Sequence, residues 1–99
     1  MKKTAMLFAM GAAALAVAPF SAKAGTLEDI KARNELRCIV NTGLAGFSFT
    51  DKAGQWRGFD ADFCRALAAA VVGDASKVKF IPATGKTRFT LLNSKEGDV

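Results

Sequence analysis

The chain has 99 residues, 51% of them apolar and 23% charged, with a formal net charge of +5 and no histidine. Without an imidazole there is no Ser-His-Asp triad, no Cys-His couple and no His-ligated zinc, so catalytic and metal readings start at a disadvantage. Neither a Gly-x-x-x-x-Gly-Lys-Ser/Thr loop nor a Gly-x-Gly-x-x-Gly fingerprint occurs, and no cofactor is expected.

The first element in chain order reads as a removable leader. Lys2 and Lys3 make a positive start, Ala5 to Val17 carry no charge, and Ser21-Ala22-Lys23-Ala24 follow Pro19 and Phe20. Ala22 and Ala24 are the small residues a signal peptidase accepts. The apolar run is shorter than the ~20 residues that span a bilayer, so a permanent anchor is the weaker reading. The expected division is a signal peptide over 1–24 and, over 25–99, the N-terminal part of a longer domain. Removing Lys2, Lys3 and Lys23 lowers the net charge from +5 to +2. The remaining Lys and Arg are scattered without a run, which argues against a nucleic-acid surface.

Thr26-Leu27-Glu28-Asp29 has the form of a helix start, with Thr26 as N-cap and acids in the first turn. Leu27, Ile30 and Ala32–Arg33 suit a short helix ending near Asn34. Leu36 to Val40 reads as a strand, and Asn41 to Gly46 as a two-glycine loop. Phe47-Ser48-Phe49 alternates like an extended edge, Asp51-Lys52-Ala53-Gly54 is turn chemistry, and Gln55-Trp56-Arg57 returns. A longer helix follows, with Asp60 as N-cap and Phe63, Cys64, Leu67, Ala68 and Val71 on one stripe, stopped by Gly73-Asp74. Val78 to Ala83 is a second strand and Thr87 to Ser94 a second, apolar-bearing helix, with Phe89, Leu91 and Leu92. Gly97-Asp98-Val99 looks like the start of a third strand. Strand, helix, strand, helix, strand implies an α/β fold with a parallel sheet and right-handed crossovers. Ligands of such sheets bind beyond the carboxyl ends of the strands, so the loop from Asn41 to Phe49 is the first place to look.

These residues carry a resemblance. Thr42-Gly43-Leu44, Gly46-Phe47-Ser48, Asp51, Gly54-Gln55-Trp56 and Gly58-Phe59-Asp60-Ala61-Asp62-Phe63-Cys64-Arg65-Ala66 form an ordered series. Ala68-Ala69-Ala70-Val71, Gly73-Asp74, Lys77-Val78-Lys79, Arg88-Phe89-Thr90 and Asp98-Val99 continue it. The series resembles the periplasmic amino-acid-binding receptors of ABC importers (solute-binding protein family 3), in their general L-amino acid subgroup, over essentially all of 25–99. The resemblance implies the beginning of the first of two α/β lobes that close over an amino acid. It implies a binding protein rather than an enzyme, with L-amino acids as ligands and the membrane subunits of an ABC permease as partners. It also implies a periplasmic location.

On the same basis Asn41 and Thr42 present polar groups to the ligand's amino group or side chain, and Leu44 and Phe47 are apolar pocket walls. Thr84 and Gly85 form the tip of the second strand, and Arg88 matches the arginine that opens the next helix. Many relatives have Pro-Phe at Gly46-Phe47 and an aromatic at Gly85, so this wall is expected to be roomier. The threonine and arginine that grip the ligand carboxylate lie beyond Val99 in the family, and the acid that meets the amino group comes from the second lobe. A truncated chain that does not bind tightly is therefore one alternative. An exported enzyme of the same fold, such as a dehydratase acting on carboxylates, is the other.

Several residues also have ordinary structural uses. Phe49 reads as core, and Trp56 is expected to pack against Phe59. Asp60 and Asp62 are sufficiently explained as helix-start acids. Cys38 and Cys64 stand 26 positions apart, wrong for a Cys-x-x-Cys pair. Cys38 shares a strand face with Leu36 and Val40, and Cys64 lies on the helix stripe. A strand and its crossover helix bring those faces together, and export favours a disulfide over two buried thiols.

The leader makes a direct prediction. N-terminal sequencing of the exported protein should begin at Gly25; a product that keeps residues 1–24 would mean an anchored chain.

Overall fold

The computed structural model describes residues 25–99, so the expected leader lies outside the described residues. Helix α1 (Thr26–Arg33) leads to β1 (Leu36–Asn41). The hairpin β2 (Phe49–Thr50) and β3 (Trp56–Arg57) follows, then α2 (Phe59–Val72), β4 (Val78–Ala83) and α3 (Arg88–Asn93). The α/β class and the parallel sheet agree with the sequence reading. Strands β1 and β4 run parallel in register from Leu36 opposite Val78 to Asn41 opposite Ala83. Along β1, the odd-even alternation puts Leu36, Cys38 and Val40 into the core, while Arg37 and Ile39 are half-buried on the other face.

The segment after α3 returns along the free edge of β1. Asp98 donates its N–H to Arg37 O at 2.8 Å, and Ile39 N–H reaches Val99 O at 2.8 Å. Leu36 N–H and Thr42 N–H bond instead to Lys77 O and Ala83 O, on the β4 side. β1 is thus central, with β4 on one edge and the expected third-strand segment on the other. Gly97 is buried beside β1, and a Cβ there would collide with the Ile39 side chain. The glycine that weakens strand propensity is required by this close approach.

The core consists of two adjoining groups. Ile30, Leu36 and Ala68 are buried together, with Leu67, Val71, Val72 and Val78 packed around them. Cys38, Val40 and Cys64 form the other, bordered by Trp56, Val78 and Phe80. Truncating the fully buried Leu36 to Ala would cost about 2–5 kcal/mol, lost transfer energy plus a cavity.

Both N-caps expected from the sequence are corrected. Thr26 is the first helical residue of α1 and Gly25 its cap, with Gly25 N–H donating to Glu28 Oε2 at 3.1 Å. Gly58, not Asp60, caps α2, with φ 111°. Phe59 N–H and Asp60 N–H bond to Gly46 O and Phe47 O, each at 2.9 Å. That brings the Phe47 backbone so close that a Cβ on Gly58 would overlap it. The backbone contact and the positive φ override the side-chain capping preference of Asp60.

Trp56 does not pack on Phe59 as expected. It stacks on Phe80 with ring centroids 5.7 Å apart, while Phe59 is 68% exposed. Arg65 closes this cluster, its guanidinium 5.3 Å from the Phe80 ring and bonded to Trp56 O. Phe63 and Phe89, expected on apolar stripes, are exposed, and Phe49 lies at the surface edge. The Asp98 side chain, read in the sequence only as part of a strand start, is largely covered. Its carboxylate pairs with Arg33 of α1 and accepts Arg37 N–H at 2.8 Å, tying the two chain ends of the domain to β1.

Cys38 and Cys64 are joined, with Cα atoms 6.2 Å apart, inside the range a disulfide spans. Unfolded without reductant, the exported protein should show no free thiol. Reduction should cost about 3–4 kcal/mol of stability by freeing the unfolded chain. Two free thiols, or unchanged stability on reduction, would contradict this.

The hairpin carries its own electrostatic prediction. Asp51 accepts N–H bonds from Gln55 and Ala53 and from Arg57 Nε, all at 2.9 Å. The Gln55 N–H first, then the Arg57 guanidinium, hold its carboxyl below the ordinary 3.8. Because the folded value is lowered, this contribution to folding is present above the ordinary value. It is lost as pH falls through the lowered one. NMR titration should place the Asp51 midpoint below 3.8, and Arg57→Gln should raise it; a wild-type midpoint at or above 3.8 would refute the arrangement.

Candidate functional site

A cavity of about 340 Å³ opens at the carboxyl ends of β1 and β4. Strand β1 supplies Cys38, Ile39, Val40 and Asn41, and β4 supplies Ala83, followed by Thr84. The first two turns of α2 contribute Asp60, Phe63 and Cys64. Leu44 comes from the β1–β2 loop, Arg88 from the start of α3, and Val99 from the returning segment. This is the crevice that a parallel sheet leaves outside its strand ends.

Local geometry positions each group. Asn41 ends β1, and its Oδ1 accepts Gly43 N–H at 3.1 Å, an Asx turn that bends the chain out of the strand. Leu44 and Ser48 exchange backbone bonds at 2.9 Å, closing the loop into a small tongue, with the Ser48 side chain fully buried beneath it. Thr84 is held by Thr87: its N–H donates to Thr87 Oγ1 at 3.0 Å, and its own Oγ1 accepts Lys86 N–H at 3.3 Å. Thr84 O in turn accepts Arg88 N–H at 3.1 Å, so the β4 tip sets where α3 begins.

Of the residues expected to line a ligand site, the structure brings Asn41, Leu44, Thr84 and Arg88 together around the cavity. Thr42, Phe47 and Gly85 belong to the same two loops but do not line it. Thr42 spends its N–H on Ala83 O, and Phe47 stands half exposed on the tongue. A side chain at Gly85 would meet nothing, so that tip is open. The disulfide, expected only as a staple, forms part of the cavity floor.

Two further lining residues escaped the sequence reading. Phe63 was assigned to the helix stripe, and its 62% exposure reflects a position over the cavity mouth. Asp60 was assigned to capping. A signal was available: Asp62 has Arg65 three residues on and pairs with it at 3.1 Å, whereas Asp60 has Phe63 and Cys64 at the corresponding positions. No cluster of His, Cys, Asp and Glu able to hold a metal occurs among the described residues. Among them, too, no helix is long and apolar enough to cross a membrane.

Comparison with known proteins identifies a family. Residues 36–99 match the family described as bacterial extracellular solute-binding proteins, family 3. The chain is 52% identical over 99 residues to a general L-amino acid-binding periplasmic protein of Rhizobium johnstonii, covering 100% of this chain and 29% of that protein. It is 50% identical, with the same coverage, to a glutamate/glutamine/aspartate/asparagine-binding protein of Rhodobacter capsulatus. Among solved structures, a periplasmic binding protein of an ABC transporter from Brucella ovis, with glutathione bound, superposes with a TM-score of 0.72 and 53% identity. That match covers 76% of this chain and 23% of the other. The chain thus spans less than a third of the length of the relatives it matches.

Proposed function

This chain belongs to the bacterial extracellular solute-binding proteins, family 3, and from that premise we propose that its strand-end cavity forms part of an L-amino acid binding site. In this reading the protein is exported to the periplasm behind a cleaved leader, captures amino acids and passes them to the membrane subunits of an ABC permease. It performs no covalent chemistry.

The observation that carries the reading is the composition of the cavity wall. Asn41 and Thr84 offer amide and hydroxyl groups, Arg88 a guanidinium, and Leu44 and Phe63 apolar surface. A zwitterion entering a cleft loses water from two charges and needs fixed polar partners for each, beside apolar contact for its side chain. That combination supports amino acids over sugars or apolar solutes. Binding rather than dehydratase chemistry is favoured because the relatives named above are described as binding proteins. In this reading the groups that hold the ligand's carboxylate and ammonium belong to a second lobe and to the chain beyond the third strand. The wall seen here therefore accounts for weak contact, and closure of two lobes for tight binding.

Saturation-transfer NMR on the purified protein tests the proposal. L-amino acids at millimolar concentration should receive magnetisation from the protein, and glucose and maltose should not. Transfer to the sugars alone, or to none of a panel of L-amino acids, would contradict it.

A further inference from the structure

The tongue between β1 and β2 is seated on the start of α2 by backbone hydrogen bonds. Gly46 O and Phe47 O accept the N–H groups of Phe59 and Asp60, each at 2.9 Å, and so satisfy two of the donors that open the helix. Ser48 adds nothing to this seat, since its fully buried hydroxyl has no hydrogen-bond partner among the described residues. What lets the two backbones meet is the missing side chain at Gly58. A Cβ there would overlap the carbonyl carbon and oxygen of Phe47, main-chain atoms that cannot rotate out of the way. The same tongue carries Leu44 to the cavity wall. Leu44 N–H bonds to Ser48 O at 2.9 Å, and Leu44 O accepts Phe47 N–H at 3.0 Å and Ser48 N–H at 2.9 Å. Any displacement of the Phe47 backbone is therefore passed on to Leu44.

We propose that Gly58 is a positioning residue for the binding site. By letting the tongue seat on α2, it sets how far Leu44 reaches over the cavity and which size of solute side chain the wall accepts. This rests on the amino-acid reading above and adds to it a determinant that does not itself line the cavity. A methyl group at position 58 forces the tongue and the helix start apart. The tongue is the part that gives way, because Leu44 to Phe47 are exposed while α2 is tied to β1 through Cys64. Leu44 then moves away from the α2 residues that share the wall, Phe63 and Cys64, and the space for an apolar side chain grows. Small side chains lose contact there, and larger ones gain it.

L-alanine and L-leucine are suitable probes, because they share both charged groups and differ only in apolar bulk. NMR titration of the disulfide-bonded protein gives the ratio of their affinities. Gly58→Ala should raise the leucine-to-alanine ratio about three- to fivefold, the worth of one buried methylene. Leu44→Ala should raise it too, and adding Gly58→Ala to that variant should change it little further, because the side chain being positioned is gone. Gly73→Ala is the control for stability. Gly73 has φ 78° with open space around it, so alanine there strains the far end of α2 without touching the tongue, and the ratio should stay at the wild-type value. An unchanged ratio in Gly58→Ala, an equal shift in Gly73→Ala, or additive shifts in the double variant would overturn the assignment while leaving the amino-acid reading intact. Should Gly58→Ala fail to fold, an unchanged ratio in Leu44→Ala, altered only at an exposed side chain, would overturn it equally. Wild-type protein that binds no L-amino acid would overturn both.

Discussion

The cross-link between Cys38 and Cys64 sits where the central strand meets the longest of the described helices, and the rest of residues 25–99 is arranged around that junction. β1 has neighbours on both edges, and among the described residues α2 is the long helix laid against it. Fixing them together sets Leu36 against Ala68 and Val40 against Cys64, and also the height of Asp60 and Phe63 relative to Asn41. Residues 25–99 would contribute roughly 4–11 kcal/mol of stability at the usual per-residue value. A loop closure worth about 3–4 kcal/mol is a large share of that. The same bond forms part of the cavity floor, so the constraint that stabilises the fold also shapes the site.

How much of this was legible in the sequence depended on whether a feature was local. Val78 to Ala83 was read to its ends because a β-rich run is bounded by Ser76-Lys77 and Thr84-Gly85, and the pairing of Cys38 with Cys64 followed from periodicity on two adjacent elements. The caps were misread because a Thr or Asp preference competes with a tertiary contact that no local pattern displays. Gly58 is set by the Phe47 backbone eleven residues earlier, and Gly97 by the side chain of Ile39. Asp98 gave no sign of burial, since its partner Arg33 is 65 positions away. The aromatic residues show the same limit: a helical stripe says which side chains share a face, and only the width of the neighbouring sheet says which are covered.

The site was legible in outline and not in detail. The rule that crevices open at the carboxyl ends of parallel strands pointed to the loop after β1, the family resemblance added the tip of β4 and Arg88, and four of the expected residues meet there. The contribution of α2 was overlooked because an acid in a first turn already has a sufficient explanation in the helix dipole. What distinguishes Asp60 from Asp62 is the absence of a cation one turn on, a comparison between two residues rather than a property of either.

The central claim is that the ends of β1 and β4 and the start of α2 together meet an amino acid. Hydrogen–deuterium exchange of the disulfide-bonded protein, with and without saturating L-glutamine, locates that contact directly. The account predicts added protection at Asn41 to Leu44, Asp60 to Cys64 and Thr84 to Arg88. Protection confined to α1 and the returning segment near Asp98 would contradict it, as would saturated binding with no change at the strand ends.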